Sequence, residues 1–145
     1  MERRNRSRLA SEIDMISGVL TSKGPPLCVF PEATSSNGEQ VLPFKGALFD
    51  SAARTGAPLI PICIHYEKAN GAPISKELRD SVFYYGEMTF GEHFLRFCRL
   101  RSLDVTVEVL DPIVSAPGAS RKELAERAYR AIVSAYTKPA LHSQA

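Results

Sequence analysis

Leu9, Ile13, Ile16 and Leu20 recur at helical spacing near the start of the chain, with Glu12, Asp14 and Ser17 off that line. The spacing predicts a helix ended by Gly24-Pro25-Pro26. Leu27-Cys28-Val29-Phe30 is a continuous apolar run and reads as a strand buried on both faces. A second helix is expected to start near Lys45-Gly46 and to bury Leu48, Phe49, Ala52 and Ala53, with Gly56 as its C-terminal cap. The run from Leu59 to Ile64 reads as another buried strand. Pro61, which cannot donate to a ladder, belongs at its beginning or at a gap in pairing.

Asn70 to Lys76 has loop composition, and Val82 to Tyr85 fits a short strand. Thr89 and Glu92 have capping-box spacing, opening a helix with Phe90, Phe94 and Phe97 on one face; Tyr84, Tyr85, Phe94 and Phe97 are core candidates first and apolar-ligand contacts second. Leu103, Val105, Val107 and Val109 alternate with polar residues, the period of a half-exposed strand. Ser120 and Glu123 open a last helix whose Leu124, Ala128, Ile132 and Ala135 face inward until Lys138-Pro139. Helices alternating with apolar strands predict one α/β domain over residues 1–145, a mainly parallel sheet flanked by helices. Binding loops in such folds gather at the carboxyl ends of strands, which directs attention to the loop after Phe30.

Length and composition add little but exclusions. The 145 residues carry a net charge of +2, too small to point to nucleic acid, although Arg3, Arg4, Arg6 and Arg8 crowd one end. That arm lacks the interleaved aromatics of a single-strand binder. The three cysteines, Cys28, Cys63 and Cys98, cannot all pair within one chain; Cys28 and Cys63 lie in apolar runs as buried hydrophobes would. No Cys/His spacing indicates a metal, and no apolar run approaches the roughly 20 residues needed to span a bilayer.

The segment Phe30-Pro31-Glu32-Ala33-Thr34-Ser35-Ser36 delivers a carboxylate into a hydroxyl-rich turn, with Lys45 beyond it at a predicted helix start. Such groups can bind an alcohol and a phosphate; a solvated loop with a capping glutamate has the same composition. The segment resembles the Phe-Pro-Glu-Gly-Thr block of the glycerol-phosphate and lysophospholipid acyltransferase family. Pro43-Phe44-Lys45-Gly46 is similar to the family's next block, Gly56 to Ile62 to the one after it, and Glu2-Arg3 to an acidic-Arg pair ending an earlier block.

The resemblance implies a glycerol-phosphate acyltransferase-like fold. It also implies acyl transfer from acyl-CoA or acyl carrier protein to a lysophospholipid or acylglycerol phosphate, with no bound cofactor. Substrate would be held by Arg3, Glu32, Ala33, Thr34, Ser35, Ser36 and Lys45. The family's general base is a histidine with four residues between it and a supporting aspartate. No catalytic residue of that kind is present here: His65 leads to Asn70 and His93 to Cys98. The expectation is a domain that lacks its N-terminal elements, inactive alone, peripheral at the cytoplasmic face of a membrane and prone to self-association through exposed sheet edges. The alternative is a non-catalytic phosphate or lipid-head-group-binding domain. Two departures from the family stand out. Ala33 replaces a glycine, which disfavours a positive φ there, and Ser35 replaces a common arginine.

Overall fold

The computed structural model describes the backbone of residues 2–22 and 26–136 and the side chains of residues 11, 13–22 and 26–136. Residues 1–33, 43–61 and 111–131 form one compact unit, and residues 34–42, 62–110 and 132–145 a second.

In the first unit, α1 (Glu2–Thr21) is the helix that the early periodicity predicts. The Gly24-Pro25-Pro26 stop lies partly outside the described residues. A single 3₁₀ turn, Gly46–Phe49, leads into α2 (Asp50–Thr55), which ends at Gly56 with φ 71° as a left-handed cap. A side chain at Gly56 would also press on Pro117, 2.9 Å away. Phe49, Ala52 and Ala53 are buried as expected, whereas Leu48 is exposed. The core gathers Phe49, Ala53 and Ile113 with Leu124, Ala125 and Ala128 of α5 (Arg121–Ala135); of the four positions expected inward, Leu124 and Ala128 are buried, whereas Ile132 and Ala135 are only half-buried. Ser51, also buried, donates its hydroxyl hydrogen to the Ile13 carbonyl at 3.1 Å, fastening α2 to α1.

In the second unit, β1 (Ile62–Ala69) turns through Asn70-Gly71 into the two-residue β2 (Ala72–Pro73). Both turn residues have positive φ, 57° and 79°, the left-handed pair that an Asn-Gly hairpin requires. Helices α3 (Lys76–Val82) and α4 (Phe90–Cys98) follow, then β3 (Leu103–Val109). Ala69, Ile74, Val82 and Phe83 form the core here.

Several expectations need correction. The sheet is antiparallel among the described residues, in the order β2-β1-β3, not mainly parallel. A parallel sheet needs each helix to carry the chain back for a crossover, but β2 follows β1 by a hairpin and β3 returns the opposite way. Leu27–Phe30 forms no ladder and is exposed, Phe30 at 75%. An apolar run makes a buried strand only where neighbouring strands cover it. Val82–Tyr85 is not a strand either, because Ser75 caps α3 through the Leu78 N–H and the helix runs on to Val82. Pro61 does precede the strand, as its missing donor requires. Thr89 does stand at the start of α4, but its side chain makes no capping hydrogen bond.

The cysteines divide in a way that composition does not reveal. Cys63 is buried, but Cys28 is exposed, as is Cys98. Burial pushes the Cys63 thiol above its usual pKa, and the nearby Glu108 charge pushes the same way. Since the thiolate is the nucleophile, Cys28 and Cys98 are expected to titrate rapidly with a disulfide reagent at pH 8 and Cys63 only on unfolding. Three equally fast thiols would contradict this burial.

Among the described residues no helix is long and apolar enough to cross a membrane.

Candidate functional site

The loop predicted to carry the chemistry opens with a tight turn. The Ala33 N–H donates to the Phe30 carbonyl at 3.1 Å, so the chain reverses around Pro31-Glu32. Ala33 takes φ 56°, the left-handed region. The expectation that alanine would avoid this conformation is therefore corrected: the turn geometry is kept and the methyl group bears the strain, typically 1–2 kcal/mol for an L side chain. Ala33→Gly relieves it, partly offset by the greater freedom of unfolded glycine. We expect about 0.5–1 kcal/mol of added stability, measured by denaturant unfolding; a loss would show the strain to be absent.

Lys45 comes to this turn through the backbone. Its N–H donates to the Pro31 carbonyl at 2.8 Å, which places residue 45 beside Glu32 although the two lie far apart in sequence. The preceding Phe44 explains why the lysine stays outside. Phe44 stacks on Phe49 with ring centroids 6.1 Å apart and meets Tyr129 edge-on at 5.3 Å, so its neighbour points the other way and is exposed. The helical start after Lys45 is one 3₁₀ turn, shorter than the helix N-terminus expected to help hold an anion. Glu32 is half-buried.

Thr34 and Ser35 are exposed, and their N–H groups make no hydrogen bond among the described residues. The Ser36 hydroxyl accepts from the Gly38 N–H at 3.3 Å and Asn37 accepts from the Glu39 N–H at 3.2 Å. The structure thus brings Glu32, Ala33 and Lys45 together in the first unit and places Thr34, Ser35 and Ser36 in the second. The Arg3 side chain lies outside the described residues.

Two histidines have partners of their own. The His65 Nε2 lies 2.9 Å from the Glu108 carboxylate, and its ring stacks on Tyr136. This pair was missed in the sequence, where period-2 alternation puts His65 and Glu108 on adjacent strands but gives no register. His93 is half-buried with Nδ1 at 3.2 Å from the Asp80 carbonyl, a structural position. Among the described residues no three His, Cys, Asp or Glu side chains cluster as metal ligands.

The sequence profile of the family described as Acyltransferase matches residues 1–65, which include the Glu32 turn and Lys45. Similarity to individual acyltransferases runs further along the chain. A lyso-ornithine lipid O-acyltransferase of Pseudomonas aeruginosa is 33% identical over 110 residues, covering 76% of this chain and 40% of the relative. Another of that description from Brucella abortus is 29% identical over 86% of this chain and 49% of its own length. A 1-acyl-sn-glycerol-3-phosphate acyltransferase of Neisseria gonorrhoeae is 30% identical over 77% of this chain and 43% of its own length. The chain therefore spans less than half the length of these acyltransferases. No solved structure matches it.

Proposed function

We propose that this chain supplies the acceptor-binding part of a phospholipid-synthesising O-acyltransferase. Glu32 accepts a hydrogen bond from a hydroxyl of the lysolipid, and Lys45 faces its anionic head group. Arg3 adds a guanidinium to the same head group. The acceptor is a lysophospholipid, an acylglycerol phosphate or a lyso-ornithine lipid, presented at the cytoplasmic face of a membrane. The acyl donor is acyl-CoA or acyl carrier protein, and no bound cofactor takes part. The acceptor oxygen attacks the thioester carbonyl, a histidine takes its proton, and the thiol leaves.

The observation that supports this reading is the Pro31–Lys45 hydrogen bond, which sets a cationic residue beside Glu32 on the family's own turn. The absence of a His-Asp pair at the family spacing in these 145 residues favours a second reading, a domain that binds lipid head groups without catalysis.

The test joins the chain to an upstream segment carrying a histidine and an aspartate with four residues between them. Labelled acyl-CoA is then supplied with lysophosphatidate or lyso-ornithine lipid. Glu32→Ala should lower transfer about 10–100-fold, the worth of one hydrogen bond to a charged group. Full rate in that variant removes Glu32 from the site.

A further inference from the structure

Helix α4 turns an apolar face outward. At 100° per residue, Phe90, Phe94, Leu95 and Cys98 fall within one arc of about 140°. Phe90 is 66% exposed, Phe94 51% and Leu95 60%. These residues are not the helix's packing side. That role falls to His93, whose ring lies against Tyr84 and Phe97 and whose Nδ1 reaches the Asp80 carbonyl, and to Leu100 just beyond the helix, which packs on the second core. The outward rings are ordered against one another: Phe90 stacks on Phe94 at 5.8 Å and meets Tyr84 edge-on at 6.2 Å.

Charge is arranged to match. Arg96 is occupied by Glu92 at 2.5 Å and lies 4.0 Å from Asp80. Arg99 and Arg101, exposed just past the helix end, make no ion pair among the described residues. Two exposed phenylalanines, followed at the helix end by exposed arginines without an ion pair among the described residues, have the composition of a helix that lies in a bilayer interface, with its rings at the acyl boundary and its cations among anionic head groups.

We propose that this face of α4, with Arg99 and Arg101, docks on an anionic lipid bilayer. The proposal rests on the reading of the acceptor as a membrane lipid, and it names the surface that brings the chain to that lipid.

The experiment is sedimentation of the 145-residue chain with vesicles of phosphatidylcholine alone or mixed with phosphatidylglycerol. The unaltered chain should bind the mixed vesicles and release as salt is raised. Phe90→Ser/Phe94→Ser should bind at least about 10-fold more weakly, because two rings leave the apolar phase. Both positions are exposed, so its melting temperature should be unchanged. Arg99→Glu/Arg101→Glu should lose the preference for phosphatidylglycerol, at roughly fivefold or more per residue. Glu32→Ala should bind vesicles like the unaltered chain, which separates docking from acceptor recognition. Equal binding by the phenylalanine variant overturns the surface even where acyl transfer has been demonstrated. So does a chain that ignores anionic vesicles. A dimer in solution that Phe90→Ser/Phe94→Ser converts to a monomer overturns it in favour of a second copy of the chain.

Discussion

Assayed alone, the 145-residue chain is expected to transfer no acyl group from acyl-CoA to any lysolipid. Joined to a segment bearing a histidine and an aspartate at the family spacing, it is expected to do so. The proton on the attacking hydroxyl must go to a base, and removing such a base typically costs about 10²–10⁴-fold. Neither described histidine fits the role by sequence: the residues five positions on are Asn70 and Cys98. His65 is paired with Glu108 and His93 is held against the Asp80 carbonyl. Steady transfer by the chain alone, abolished by His65→Ala, would show that the His65–Glu108 pair is a base after all.

The second large effect is expected on stability, from Gly38→Ala. Gly38 has φ 75°, and a Cβ built there lies 2.7 Å from the Phe83 ring atoms Cε1 and Cζ. Phe83 is itself buried with Ala69, Ile74 and Val82, so the ring has little room to retreat. The left-handed backbone costs an alanine about 1–2 kcal/mol, and overpacking adds about 1–3 kcal/mol. A loss of about 2–5 kcal/mol in urea unfolding is the expected result. A change under 0.5 kcal/mol, small for an overpacked site, would mean that Phe83 moves freely.

Local chemistry was legible in the sequence and pairing was not. Gly56 was marked as a cap because only glycine takes a left-handed turn without cost, and it does so. Pro61, for want of an N–H, reads as a strand start or a gap in pairing, and β1 begins at the next residue. Period alone sets Leu124, Ala128, Ile132 and Ala135 inward, and the first two are buried while the last two are half-buried. The hairpin at Asn70-Gly71 carried a readable signal that loop composition obscured. Strand direction had no such signal, since alternation along Leu103–Val109 is the same whichever way its neighbour runs. Phe90 and Phe94 had helical spacing, and periodicity identifies an apolar face without saying whether it is covered. In the site, the residue types at Glu32 and Lys45 suit a solvated loop as well as a binding site, and the family resemblance is what points to them. Their adjacency depends on the Pro31 carbonyl, which no side-chain pattern records.

The hydroxyl of Tyr136 donates to the Gly38 carbonyl at 2.6 Å, between residues 98 positions apart. During synthesis Gly38 emerges from the ribosome long before Tyr136, and at typical elongation rates of roughly 5–20 residues per second that interval lasts several seconds. Throughout it the nascent hydroxyl-rich loop lacks its tether, and closing so long a span is entropically slow. A ribosome-stalled chain ending before Tyr136 should therefore be cut by protease near Ser36, and the released chain should not.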